Sequence, residues 1–146
     1  MRETLFASSG QASLETLIVL SALFAFLLAF IPVVNQAREL IEFAKMVGQA
    51  QAFASRLSSD LKQAQLLGDG NAREWAFSFA GGEMEVSLTN SNVLVVSCSY
   101  AGHSKKIETV LGFPASLSGE TRLAAGSFIV RVKNDYGHVE AEILKH

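Results

Sequence analysis

The sequence predicts an α+β protein in which a long N-terminal α-helix packs against a C-terminal antiparallel β-sheet domain. Three observations predict this fold. An apolar run extends from Leu17 to Val34 without a charged residue. Apolar residues then recur every three or four positions as far as Leu67, which is the spacing of one helical face. After Asn71 apolar and polar residues alternate, which is the spacing of strands with one buried face.

The apolar run requires apolar surroundings. Eighteen or more helical residues, rising about 1.5 Å each, cross roughly 30 Å of hydrocarbon. A helix that is apolar on every face must be covered on every face, and the rest of a small chain cannot cover it. We therefore predict that the hydrophobic part, residues 16–34, lies in a membrane or among copies of itself.

Small residues precede this run. Ala7-Ser8-Ser9-Gly10 come before it, whereas a secretory signal peptide has its small-residue cleavage site after the apolar stretch. Gly10-Gln11-Ala12-Ser13-Leu14-Glu15, followed at once by the run, resembles the processing site of archaeal type IV pilins with class III signal peptides. The resemblance implies that a prepilin peptidase cleaves between Gly10 and Gln11 and removes residues 1–10, a cytoplasmic leader without a fold of its own.

The same resemblance implies a function. The mature chain would leave the membrane and polymerise into an extracellular, homo-oligomeric helical filament at the cell surface, with adhesion as its commonest purpose. A cytoplasmic assembly ATPase and a membrane platform protein would drive this transfer. The fold implied is that of a type IV pilin, with helix 11–67 and a β-rich head at 72–146.

Glu15 is the first candidate for a functional side chain. A carboxylate at the edge of a membrane-spanning run is costly without a partner. We expect the free amine of Gln11, from the same or a neighbouring subunit, to pair with Glu15 and to set the register of assembly. The alternative is an interfacial carboxylate that simply faces water.

Pro32 lies inside the apolar run. It lacks a backbone donor and clashes with the preceding turn, so we predict a kink there. Bacterial type IV pilins carry a proline at a similar place, where the helix bends or melts in the filament. A packing kink in an ordinary transmembrane helix is an equally good interpretation.

Beyond Val34 the helix is predicted to be amphipathic over residues 35–67 and to end at the glycine-rich segment 67–71. One apolar stripe of this helix is formed by Ala37, Leu40, Ile41, Ala44, Val47, Ala54, Leu57, Leu61 and Ala64, widened by Phe43, Met46 and Phe53, and the C-terminal half is predicted to lie against the sheet that follows. Arg38, Lys45 and Arg56 follow the apolar run, against Arg2 alone before it. The positive-inside rule would therefore reverse the orientation that the resemblance implies.

About six short strands are predicted in the head. Gly81-Gly82 is predicted to close a hairpin between the first two strands. Segment 93–100 is predicted to be a central strand, 105–113 a weaker one, and 114–126 a surface loop. A last hairpin joins strands at 128–132 and 139–143 through the turn at 134–137.

The head offers no catalytic constellation. Alternation places Cys98 on the inward face of its strand, so a buried thiol is favoured over a Cys98–His103 pair. Glu83, Glu85, Glu140 and Glu142 are predicted to face outward. With 12 Lys+Arg against 14 Asp+Glu, one cysteine and three histidines, we predict no enzyme, metal, cofactor or nucleic-acid partner.

Three alternatives stay open. The chain could be a minor or priming pilin used in small numbers at a filament tip. It could be an unprocessed single-pass protein that displays a binding domain at the cell surface. Archaellin-like motility is the third, and it is disfavoured by family analogy alone.

Overall fold

The computed structural model of the protein describes residues 3–146, with side chains from Ser13 onward. These residues form one α-helix and eight β-strands. Their bounds are α1 Glu3–Leu67, β1 Ala72–Phe79, β2 Glu83–Thr89, β3 Val93–Tyr100, β4 His103–Val110, β5 Ala115–Gly119, β6 Arg122–Leu123, β7 Gly126–Asp135 and β8 His138–Lys145. The chain divides into two compact units, Met1–Leu40 and Ile41–His146, and α1 contributes residues to both.

Helix α1 ends where the sequence predicts. Gly68 has a φ of +80° and donates its backbone N–H to the Ala64 carbonyl at 3.2 Å. The Asn71 amide donates to the Leu67 carbonyl at 3.0 Å. Glycine tolerates this left-handed conformation without a Cβ penalty, so it can terminate the helix. At its other end α1 reaches back to Glu3, so the segment predicted to lack a fold continues the helix.

The prediction that the C-terminal half of helix residues 35–67 lies against the strands is confirmed. The helix residues in the core are Met46, Ala50, Phe53, Ala54, Leu57, Leu61 and Ala64, with Phe43 and Val47 partly buried against them. Leu40 and Ile41 are more than half exposed, and Ala37 and Ala44 are exposed too. These four residues belong to the N-terminal half of the stripe, and the described helix residues that pack in the core begin at Phe43 and Met46.

The strands form two four-stranded sheets rather than one. Sheet A has the order β1-β7-β8-β5, and sheet B has the order β4-β3-β2-β6. The predicted last hairpin is confirmed, because Val130 pairs with Ile143 across antiparallel β7 and β8. Strand β3 is central in sheet B, as predicted, and lies between β2 and β4.

Gly81-Gly82 does not close a hairpin. Strand β1 pairs with β7, and β2 pairs with β3 and β6, so this turn carries the chain from sheet A to sheet B. Gly82 has a φ of +77°, and a Cβ there would lie 2.9 Å from the Ser99 carbonyl oxygen. The glycines therefore serve a close backbone approach, which the sequence signal for a hairpin does not distinguish.

The predicted surface loop 114–126 contains β5 and β6. β5 pairs in parallel with β8, for example Leu117 with Ala141, so the sheet is not purely antiparallel. Gly119 has a φ of +83°, and a Cβ there would collide with the Ile143 carbonyl. Serine and glycine made this segment resemble a loop, although Ala115 is buried and Leu117 packs partly against the core.

One hydrophobic cluster joins the helix to both sheets. It contains helix residues from Met46 to Ala64 together with the inward side chains of sheet A and sheet B. The Phe53 ring lies 5.5 Å from Trp75 and 4.8 Å from Phe77, both on β1. The head is therefore an α+β domain in which the second part of α1 packs on the β-strands.

Candidate functional site

The first part of α1 is apolar and exposed. Every large apolar side chain from Leu14 to Val34 is between 38% and 69% accessible. Together with the alanines between them, these side chains fill nearly every position, so they face all directions around the helix axis. An apolar surface of this extent marks a membrane or protein-interaction site.

The polar groups of this segment are satisfied within the helix. Ser21, the one polar side chain between Leu17 and Val34, donates its hydroxyl to the Ile18 carbonyl at 2.8 Å. Phe26 and Phe30 stack with their ring centroids 5.8 Å apart. Side chains that make their hydrogen bonds to their own helix need no water, which suits an apolar environment.

The segment also has the length of a membrane span. In the described part of the chain, one helix is long and apolar enough to cross a bilayer, and it lies near the N-terminus. Eighteen residues from Leu17 to Val34 extend about 27 Å as a helix. The structure thus contains a helix that could cross a membrane.

The structure describes the side chains of only some of the predicted site residues. Gly10 lies within α1, but the side chains before Ser13, including that of Gln11, are outside the described residues. Glu15 is exposed on the helix. Its pairing with the Gln11 amine and the cleavage after Gly10 therefore stay predictions.

Helix α1 continues through Pro32. Proline has no N–H, so the Leu28 carbonyl lacks its usual helical donor at this point. The predicted kink stays a prediction.

The outer face of sheet A carries paired charges. Arg131 lies between Glu74 at 2.9 Å and Glu142 at 3.6 Å. Lys133 lies 3.0 Å from Glu140, which also accepts a hydrogen bond from the Ser118 hydroxyl at 2.8 Å. These outward carboxylates agree with the predicted polar face, and they are engaged by cross-strand partners.

These pairs perturb titration in the expected directions. The hydrogen bonds from Ser118 and Lys133 hold the pKa of Glu140 below its ordinary value. Glu74 raises the pKa of Arg131, and Glu140 raises the pKa of Lys133, because each carboxylate stabilises the cation. Such ladders stabilise a sheet surface and do not by themselves indicate catalysis.

Cys98 is buried, as predicted, and burial raises the pKa of its thiol. His103 instead packs on Phe43, with ring centroids 5.4 Å apart. Residues 13–146 contain no group of three His, Cys, Asp or Glu side chains arranged to hold a metal ion. The thiol is therefore protonated and shielded rather than activated.

Asp60 and Asn134 are buried polar residues that the sequence did not predict, and Ser58 is a third. Asp60 is 8% exposed, and Arg73 lies 3.2 Å from its carboxylate. Asn134 is 3% exposed and donates its amide to the Ala64 carbonyl at 2.9 Å. The position of Asp60, three residues after Leu57 and four before Ala64, is the helical spacing that could have revealed the first. Nothing in the local sequence marks Asn134, because asparagine at this position is also typical of the predicted turn at 134–137.

The chain was also compared with known proteins. No protein-family model, curated protein or solved structure matches it.

Proposed function

We propose that this chain is a structural pilin subunit that polymerises through its N-terminal helix into an archaeal type IV pilus-like surface filament serving adhesion. One observation carries the proposal. The charge-free segment from Leu17 to Val34 is exposed around the helix, and no described side chain before Phe43 packs in the core of the head. The head therefore does not need this segment for its own packing, and the segment is left for lipid and then for other subunits.

The energetics of such a transfer are close to balanced. Lipid tails and a bundle of like helices are about equally apolar, so apolar burial alone does not drive assembly. Helix packing and specific polar contacts must decide the equilibrium. A pair between Glu15 and the Gln11 amine would supply one such contact, because a lone carboxylate in this environment is costly.

Processing would create that amine. Gln11 and Glu15 are four residues apart, so they lie on the same face of a helix, one turn from each other. Cleavage after Gly10 by a prepilin peptidase would place a positive N-terminus within reach of Glu15. A cytoplasmic ATPase and a membrane platform protein would then move the subunit into the filament.

The mass of the native N-terminus tests the processing step. We expect the protein extracted from its native membrane to begin at Gln11, and a Gly10→Leu variant to keep residues 1–10. Gly48→Leu, at a glycine with open space around it in the same helix, serves as the control and should be cut normally. A processed Gly10→Leu protein would remove the assigned site.

Filament yield tests the role of Glu15. A Glu15→Ala variant should insert into the membrane and be processed, but should give far fewer filaments. Glu39→Ala removes another exposed carboxylate from the same helix and should leave the yield unchanged. Equal yields from all three proteins would end the pairing hypothesis.

An unprocessed single-pass anchor displaying a binding domain is the second candidate. It is favoured by Ala7-Ser8-Ser9, which stand where leaders of the pilin family usually carry Lys or Arg. A native protein that begins only at Met1 would support this candidate. Within the filament proposal, the number of copies per purified filament separates a major from a minor or priming pilin.

A further inference from the structure

The outer face of sheet B contains an open trough that is lined largely by polar side chains. Its lining residues include Glu83, Glu85, Ser97, Ser99, Ser104 and Arg122, and its volume is about 430 Å³. This volume lies within the range of about 300–1,000 Å³ typical of small-molecule sites. We call this feature the serine trough.

The strand register explains its shape. Glu83 on β2, Ser99 on β3 and Ser104 on β4 form one cross-strand row, and Glu85, Ser97 and Lys106 form the next. The short hydroxyl side chains therefore run down the central strand between longer charged side chains. Arg122, on the edge strand β6, pairs with the row of Glu85 and forms one wall.

The trough continues beyond its first row. A second hollow of about 460 Å³ shares Glu83, Ser99 and Ser104 with it and extends to Tyr100 and His103. The two hollows are therefore contiguous along the end of sheet B. An elongated ligand fits this shape better than a single ion does.

Most of its described polar side chains are unpaired, in contrast to sheet A. Among the described residues, the side chains of Glu83, Ser97, Ser99 and Ser104 make no hydrogen bond or ion pair, and Glu85 meets Arg122 only at 3.6 Å. On sheet A the corresponding outer groups are bonded to one another. Serine is also a weaker choice than threonine or valine on a central strand. Residues that fit a strand poorly and make no stabilising contact are typical of a functional surface.

The chemistry of the lining selects the ligand class. The carboxylates of Glu83 and Glu85 accept hydrogen bonds and disfavour an anion, Arg122 donates, and the serine hydroxyls do both. No cluster of three metal-ligating side chains is present among the described residues, which disfavours a metal ion. A ligand bearing many hydroxyl groups meets all of these donors and acceptors at once.

We propose that the serine trough binds an uncharged saccharide through its hydroxyl groups. This inference concerns the head alone and does not depend on whether the chain forms filaments. It gives the head a recognition surface, with Ser99 and Glu83 at the junction of the two hollows as the central contacts.

Ligand-observed saturation-transfer NMR tests the proposal on the full chain. The protein is held in phosphocholine micelles, because a glycoside detergent would compete. The probes are the methyl glycosides of glucose, galactose, mannose and N-acetylglucosamine, with inorganic phosphate as a charged comparison. We expect saturation transfer to at least one glycoside and no binding of phosphate.

Two variants locate the site. Ser99→Val removes a hydroxyl and fills the trough while keeping a strand-compatible side chain, and Glu83→Gln removes the charge. Each should weaken glycoside binding about tenfold or more. Ser127→Val, on the outer face of sheet A, is the matched control and should bind as the unmodified chain does.

Circular dichroism and the unfolding temperature verify that each variant folds. The proposal is overturned if no glycoside binds, if phosphate binds instead, or if folded Ser99→Val and Glu83→Gln proteins bind as well as the control.

Discussion

The two parts of helix α1 are continuous in the chain but differ in what surrounds them. From Ser13 to Leu40 every residue is exposed, and the apolar run within this part is unbroken. From Met46 to Ala64 the apolar residues recur at helical spacing and are buried in the core of the head. The same secondary structure is therefore buried by the head in one part and exposed over the described residues of the other.

This difference shows that the arrangement of apolar residues matters more than their number. A stripe of apolar residues can be covered by one domain, whereas a fully apolar surface needs an environment on all sides. The first part is consequently the one for which we propose assembly or membrane contact, and the second contributes to the core that stabilises the head. Each prediction below tests that division with a matched pair of variants.

The largest effect is expected from leucine truncation. Leu57→Ala should lower the free energy of unfolding of the head by about 2–5 kcal/mol, because Leu57 is completely buried and leaves a cavity. Leu27→Ala, at a leucine that is 50% exposed, should change it by less than about 0.5 kcal/mol. Denaturant unfolding of the full chain in detergent micelles measures both. Similar losses in the two variants would refute the division.

The next largest loss of stability is expected from the removal of Arg73. Arg73→Ala leaves the Asp60 carboxylate, which is 8% exposed, without its cation, and should cost about 1–3 kcal/mol. Lys45→Ala breaks a pair with Glu42 that is shorter, 2.8 Å against 3.2 Å, but exposed on both sides. It should cost about 0.5 kcal/mol or less. Burial rather than distance should thus decide the order.

A double-mutant cycle completes this test. If Asp60→Ala and Arg73→Ala act through their contact, the double variant should lose less stability than the two single losses added together. Strict additivity would mean that the ion pair contributes nothing.

The sequence predicts the second part of α1 and the inward face of β3, but it does not predict the partners of β1 and β5. The C-terminal end of the helix and the inward face of β3 follow from the periods of 3.6 and 2 and from the glycine after Leu67. The partner of β1 does not follow, because nothing in segment 72–79 records whether it pairs with β2 or with β7, some 50 residues later. The parallel pairing of β5 with β8 was not predicted either, because the serines of β5 are typical of a loop.

The candidate sites were predictable to different degrees. The apolar run is visible in the sequence because it depends on consecutive residues. The serine trough requires Glu83, Ser99 and Ser104 to meet across three strands. Their alignment is fixed by register, which alternation within each strand does not specify.

Substitution of two glycines by alanine should change the free energy of unfolding in opposite directions. Gly48 lies inside α1, and Gly68 directly follows its last residue. Gly68→Ala forces an alanine to a φ of +80° and should cost about 1–2 kcal/mol. Gly48→Ala, inside the helix, should gain about 0.5–1 kcal/mol through higher helix propensity. Both sites have no atom within 4 Å of the added Cβ, so packing cannot account for the difference.

The filament proposal adds a second measurement to Gly48→Ala. If another helix approaches closely at Gly48, this variant should stabilise the isolated subunit and yet lower filament yield. A gain in stability with unchanged yield would place that face of the helix away from subunit contacts.

The smallest effect is that of pH on Glu140, and it is confined to the head. The pKa of Glu140 is lower in the folded chain than its ordinary value near 4.5, first through the Ser118 hydroxyl and then through Lys133. The unfolded chain therefore binds a proton at a higher pH than the folded chain does. The stabilisation is complete above pH 4.5 and is lost as the pH falls through the folded pKa.

Because this pair is exposed to solvent, it should contribute little to stability. Unfolding of Glu140→Gln should lose that part of the acid dependence, and Ser118→Ala should lose some of it, because each removes a group that holds the pKa down. The segment from Leu17 to Val34 has no titratable side chain, so its helicity in micelles should stay constant over the same range. An acid-induced change in that segment would show that the stability of the two parts of α1 is coupled.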